Sequence, residues 1–445
     1  MALFSVRPFQ RAFAPLGRLP FLLGLFTAFE RWLKRLLFGC RMCGNCVLQE
    51  TAFICPMACP KGLRNGPCGG STPEFCYVDE TRPCIWYKIF ERAFDKGTEE
   101  KLLEVLPPLD WEKVGGETWG DVIRQTRKVG VRTFVGGLRK KETRTEARES
   151  VFRPVRQPNW WQGDAEYHPP AYEEPASDLE RRLRAGEFVV TSEVAPPMGV
   201  ATGKLARETA MIAPYVAAVN YTDCPSATPR MSSQACSTMA LQSGVEPVMQ
   251  IAARDRTRVG VQAEVIGATA VGVRNFLCLS GDSPAIGPPP RSRMEVVDIE
   301  AVQMLWVLRR MRDEGVYLDG RTIKSPPTFF LGAAGSPYAS RPEFQALREQ
   351  KKVNAGAQFL QTNLVFDPKP AQIWLEALAE RDVLDKVSIL IGITPLKSYR
   401  MAKYMHDEVP GVFITEEILR RLEKAGDNAP EEGVQITLEL IEQIK

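Results

Sequence analysis

Histidine is nearly missing from these 445 residues: only His168 and His406 occur. A histidine-rich zinc centre and a Ser-His-Asp triad are thereby all but excluded, and proton transfer falls to carboxylates, lysine or tyrosine. Net charge is also scarce. At +3 it gives no argument for nucleic acid or for an acidic membrane as partner. The apolar run LPFLLGLFTAF (19–29) is shorter than the roughly 20 residues a membrane-spanning helix needs, so no integral span is expected. No GxGxxG turn follows the first strand-like run, which argues against a doubly wound dinucleotide fold. Acidic residues are absent before Glu30, so MALFSVRPFQRAFAPLGRLP has the charge of a transit peptide without a polar, Ser-rich stretch. We read residues 1–38 as a basic amphipathic lead-in helix. Phe29, Trp32, Leu33 and Leu36 share one face, which is expected to dock within the protein, and Arg31, Lys34 and Arg35 lie largely on another.

Cysteine, by contrast, is crowded into one place. Cys40, Cys43, Cys46, Cys55, Cys59, Cys68, Cys76 and Cys84 define a segment at 39–95, whereas Cys224, Cys236 and Cys278 are scattered and read as ordinary buried thiols. A secreted disulfide scaffold does not carry a long cysteine-poor enzyme-sized domain, so the clustered thiols read as metal ligands in a reducing, cytoplasmic setting. CxxCxxC brings three thiolates to one centre and CPMACP adds two more. Eight sulfurs suit two cubane clusters, or one with spare thiols; a structural zinc site, which takes four, is the alternative.

Residues 96–178 form a charged linker region. It includes the basic stretch 127–157 and the connector NWWQGDAEYHPPAYEEP, whose paired Trp160 and Trp161 are expected to pin it to a surface. From 179 to 445 short β-rich runs alternate with amphipathic helical stretches. The runs are EFVVTSEV, VAAVNYTD, EPVMQIAARD, NFLCLSGD, PTFFLGAAG, QFLQTNLVFD and VSILIGITPL. Seven such units predict an α/β fold, a TIM-type (β/α) barrel. After EEGVQITLELIEQIK no eighth strand follows, and truncation before it is the expectation.

In such barrels the chemistry lies at strand C-terminal ends. Those ends carry Glu193, Asp223, Asp255, Asp282 and Asp367, with Asn220, Gln250, Gln361 and Asn363 near them. Asp223, Asp255 and Asp367 serve equally well as helix caps. Glu193 stands before two prolines where no helix needs a cap, between apolar walls that raise a carboxyl toward general-acid range. Asp282 follows Gly281, which permits close approach of a flat ligand, and its charge can stabilise a cationic ring.

Five segments, TSEVAPP, RDRTRVGVQAEVIGATAVGVRNFLCLSGDSP, FFLGAAGSPYA, NAGAQFLQTNLVFD and ITPLKSYRMAKYMHDEVPG, together resemble methylenetetrahydrofolate reductase over about 186–430. The resemblance implies a flavin, FAD or FMN, against the strand ends, and hydride transfer linking 5,10-methylene- and 5-methyl-tetrahydrofolate. It makes Glu193 the acid that protonates N10 and Asp282 the carboxylate near flavin and pterin. Asn220 and Gln250 match flavin contacts, and Lys351 and Lys352 the flavin's phosphate side. Gln345 and Arg348 stand where that pattern more often has Asp and Asn toward the ribityl and ribose. Asn363 replaces the pterin-binding glutamine beside Gln361. The cysteine segment resembles the small domain that accompanies such reductases, where it holds iron–sulfur, most often 4Fe-4S, and connects the flavin to a donor. An electron-donor protein or NAD(P)H is the implied partner beside the folate, and a homo-oligomer is left open. The rival readings are a non-catalytic folate-binding or complex-organising subunit with a structural zinc domain, and a zinc-dependent methyltransferase.

Overall fold

The structure is a computed structural model that describes residues 20–116, 118, 160–161, 163–290, 297–338, 341–409 and 411–445. The first 19 residues and the basic stretch 127–157 lie outside the described residues. The chain divides into two compact units, one from Met1–Ala58 with Leu106–Gly163, the other from Cys59–Val105 with Asp164–Lys445.

In the first unit helix α1 spans Pro20–Phe38. Its inward face is Phe26, Glu30 and Lys34, all buried. Burying that ion pair is tolerable because its polar atoms are engaged. Lys34 pairs with Glu30 one turn away, and the Glu30 carboxylate accepts from the Thr118 N–H at 3.1 Å and the Thr118 hydroxyl at 2.8 Å. The apolar face expected to dock inside therefore turns outward: Trp32 is 61 % and Leu36 70 % exposed. Trp161 is buried and Trp160 only half-buried.

In the second unit, seven parallel strands run in sequential order: β1 Thr191–Val194, β2 Ala218–Tyr221, β3 Pro247–Ala252, β4 Asn275–Leu279, β5 Phe330–Gly335, β6 Phe359–Leu364 and β7 Ser388–Gly392. Among the described residues no strand joins β7 to β1, so the sheet is a curled half-barrel, a TIM-type barrel short of one strand. Alternation along each strand sends every second side chain inward. Ala218, Val248, Leu277, Phe330, Phe359 and Leu390 form an apolar layer there, closed below by Leu179 of helix α2 (Asp178–Arg184). Gly332 is required in that layer, since a Cβ on it would come within 2.2 Å of the Phe359 ring. One step further along the strands the inward residues become Glu193, Asn220, Gln250 and Gln361, so the polar mouth follows from the same periodicity.

Cys59–Val105 is part of this second unit. Its helix Ile85–Asp95 packs Phe90 and Phe94 on Phe344, with centroids 5.3 and 4.8 Å apart, at the start of helix Pro342–Asn354. A second tie is Glu300, which caps helix Ala301–Asp313 and also accepts from the Arg64 N–H (3.1 Å) and the Asn65 side-chain amide.

Candidate functional site

At the C-terminal ends of the strands lies a cavity of about 270 Å³. From the barrel it is lined by Thr222, Asp223, Gln250, Gly281, Asp282, Arg348, Lys352 and Asn363, among others, and from the cysteine segment by Lys61, Cys68, Gly69 and Tyr77. Glu193 is joined to it through Gln250, whose side-chain amide donates to Glu193 Oε2 at 3.1 Å. The Glu193 side chain is open to solvent at the mouth of the half-barrel, yet protein crowds its carboxyl, and this desolvation raises its pKa while the Gln250 bond partly offsets the rise.

Asp282 accepts the Ser226 N–H at 2.6 Å. That N–H is presented by a loop whose Cys224, Ser226 and Ala227 all have positive φ, a conformation rare in non-glycine residues. Gly281, with φ +78°, lets Arg254 pass close by, and Arg254 donates to the Asp282 carbonyl at 3.1 Å. Three inward polar atoms are buried without a hydrogen-bond partner among the described residues: Asn220 Oδ1, Thr222 Oγ1 and Gln361 Oε1. Buried acceptors of this kind are normally satisfied, and of the three residues only Thr222 also lines the cavity.

The other expected residues separate. Lys352 lines the cavity and pairs with Glu349 at 2.6 Å; burial, and then Arg348, depress its ammonium to about 8. Lys351 does not line it. Burial lowers that lysine to about 7, against the pull of Glu300 and Glu104, and it belongs to the buried polar cluster that ties the cysteine segment down. Gln345 is also turned from the cavity and donates to the Tyr87 hydroxyl at 3.2 Å. Asp367 is the helix cap that its position allowed, accepting from the Lys369 N–H at 3.1 Å. Asp223 instead accepts from the Ala252 N–H at 2.8 Å and pairs with Arg256, and Asp255 pairs with Arg254. Cys236 and Cys278 are buried thiols, but Cys224 is only half-buried.

Cys40, Cys43, Cys46 and Cys55 line one small cavity of the first unit, walled by Val47, Leu48 and Pro56. Burial, then the field of Cys43 among other causes, pushes the Cys55 thiol up to about 11. Cys59, Cys68, Cys76 and Cys84 belong to the second unit, where burial and the nearby Cys68 and Cys84 raise Cys59 to about 12. Thiols raised in this way need a cation to ionise. Among the described residues no three Cys, His, Asp or Glu side chains converge where a single ion would sit. In donor type, the all-thiol set Cys40, Cys43, Cys46 and Cys55 with its apolar walls is of the kind iron–sulfur takes.

A curled barrel with a polar cavity at its strand ends is the architecture of a (β/α)-barrel enzyme. The sequence profile described as Methylenetetrahydrofolate reductase matches residues 178–445, and one described as Methylene-tetrahydrofolate reductase C terminal matches 22–112. The chain belongs to the methylenetetrahydrofolate reductase family. No curated protein matches it. Among solved structures it is similar to an uncharacterized protein from Clostridium thermocellum that binds two copies of 5-methyl-5,6,7,8-tetrahydrofolic acid, at 14 % identity and TM-score 0.41, over 59 % of this chain and 87 % of that one. It is also similar to tryptophan synthase from M. tuberculosis (13 %, TM-score 0.31, 59 % and 97 %) and to 2,3-dimethylmalate lyase (13 %, TM-score 0.33, 58 % and 100 %). Among the described residues no helix is long and apolar enough to cross a membrane.

Proposed function

We propose that the chain is a cytoplasmic reductase interconverting 5,10-methylene- and 5-methyl-tetrahydrofolate, with electrons relayed through its cysteine sets. The observation that carries this reading is Glu193 at its strand end, its carboxyl crowded by protein and bonded to a Gln250 that shares the cavity with Asp282, in a chain of this family. Glu193 gives its proton to N10 as the C–N10 bond of the five-membered ring breaks, which leaves the one-carbon unit as an iminium on N5. Asp282 balances the positive charge that develops. Asn363 and Gln361 hold the pterin, and Gln250 keeps the Glu193 carboxyl oriented. A flavin in this cavity would meet Gln250 and Asp282 with its ring, with Asn220 opposite Glu193 on the neighbouring strand, and Arg348 and Lys352 would hold its phosphate. A bound flavin supplies two-electron hydride chemistry at the strand ends. The thiol sets suit iron–sulfur clusters that take electrons from a donor protein or NAD(P)H.

The test is anaerobic purification with iron, zinc and flavin quantification, followed by 5-methyltetrahydrofolate oxidation with an artificial acceptor. The reading expects turnover that Glu193→Gln suppresses while folate binding persists. Full turnover by the Glu193→Gln protein, or a wild type that binds folate and never turns it over, would leave a folate-binding scaffold instead.

A further inference from the structure

One wall of the cavity is not made by the barrel. Lys61, Cys68, Gly69 and Tyr77 come from the cysteine segment and face Asp282 and Asn363 in the same pocket. Lys61 is buried, its ammonium donates to the Gly281 carbonyl at 2.8 Å, and it lies 5.9 Å from the centre of the Tyr77 ring. Gly69 runs against Ser336 and Asn363, where a Cβ would meet the serine hydroxyl at 3.4 Å. The wall is therefore seated on strand-end residues, next to the Asp282 carboxylate. A tyrosine phenol holds its proton at neutral pH, so Tyr77 is a donor on this wall.

Asp282 accepts hydrogen bonds only, whereas Lys61 and Tyr77 offer protons beside it. An edge that presents ring N–H and amino donors next to a carbonyl acceptor complements this set. The 2-amino-4-oxo edge of a reduced pterin is such an edge. An analogue bearing an amino group in place of the 4-oxo oxygen would set donors against donors.

We propose that Lys61 and Tyr77, carried by the cysteine segment, are ligand-binding residues of the barrel cavity and select a 4-oxo over a 4-amino pterin. This rests on the folate reading and deepens it. The cysteine segment then has a second task besides holding thiol-bound centres, because it completes the substrate pocket.

The experiment measures equilibrium binding of 5-methyltetrahydrofolate and of a 4-amino folate analogue to the intact, anaerobically prepared chain. Wild type, Tyr77→Phe, Lys61→Met and the surface control Arg321→Gln are compared, each checked by circular dichroism and metal content. Wild type should favour the 4-oxo ligand. Tyr77→Phe and Lys61→Met should each weaken its binding by roughly five- to twentyfold, the size of one lost ligand hydrogen bond. They should also shrink the 4-oxo preference, which a merely structural defect would weaken for both ligands alike. If wild type binds neither ligand, the folate reading fails. If wild type binds and both variants keep its affinity and preference within twofold, Lys61 and Tyr77 are not binding residues. Should Tyr77→Phe fail to fold, Lys61→Met and the wild-type preference still decide the matter.

Discussion

At the scale of single residues, the pair Glu193–Gln250 has consequences for both rate and stability. As a general acid Glu193 must be protonated, so turnover toward the methyl product should fall as pH rises through a value above the ordinary carboxylate range. Glu193→Gln should lower turnover by about 10²- to 10⁴-fold, the usual worth of such proton transfer, and leave the folate dissociation constant nearly unchanged. The effect on stability has the opposite sign. In the folded chain this carboxyl holds its proton to a higher pH than in the unfolded chain. Stability therefore declines as pH rises from the unfolded value through the folded one. Glu193→Gln should be more resistant to urea than wild type at neutral pH, and the gain should vanish in acid, where Glu193 is neutral in both states. A gain that persisted in acid would mean that desolvation of the carboxylate is not its cause. Strand periodicity made Glu193, Gln250, Asp282 and Asn363 legible in the sequence, because a residue's place at a strand end decides what it faces. Lys61 and Tyr77 were not legible: they reach the cavity by tertiary packing from a segment far upstream. Lys351 and Lys352 show how fine the distinction is, since a helix turns about 100° per residue and only Lys352 meets the cavity.

At the scale of elements, two contacts hold the cavity's walls in place. Glu300 caps the helix Ala301–Asp313 and accepts two bonds from the Arg64–Asn65 stretch, with Lys351 nearby. Glu300→Ala removes the cap and leaves the buried Lys351 and Asn65 short of their partner. A loss of about 3–5 kcal/mol is expected, as for one half of a buried ionic set. Urea denaturation would read it, and folate affinity should fall with it because Lys61 sits on the same segment. Gly332→Ala tests the barrel layer instead. Its Cβ would enter the Phe359 ring, so about 1–3 kcal/mol should be lost to overpacking. A neutral Gly332→Ala would show that the ring has room to yield. The lead-in helix marks where sequence pattern misled. Its apolar stripe is real, but the inward face is set by the Glu30–Lys34–Thr118 cluster, and Thr118 lies too far along the chain for helical periodicity to reveal it.

At the scale of the whole molecule, the eight N-terminal cysteines are one cluster in sequence but are divided between two compact units. Cys40, Cys43, Cys46 and Cys55 share a cavity of the first unit; Cys59, Cys68, Cys76 and Cys84 belong to the second, where Cys68 also lines the barrel cavity. Spacing could not reveal the division, because Cys55 and Cys59 flank it only four residues apart and nothing in CPMACP marks a boundary. If each set holds its own centre, a serine in one should remove that set's metal and spare the other's. Cys55→Ser should then lower iron per chain by about half and leave folate binding intact, since its cavity contains no strand-end residue. Cys68→Ser should cost a similar share of the metal and also disturb the folate affinity, because that cysteine and Tyr77 line the same barrel cavity. Metal analysis of both anaerobically purified variants, together with folate titration, separates the cases. Loss of all metal from either single variant would mean that one centre draws ligands from both sets, and the four-and-four division would then have no chemical meaning.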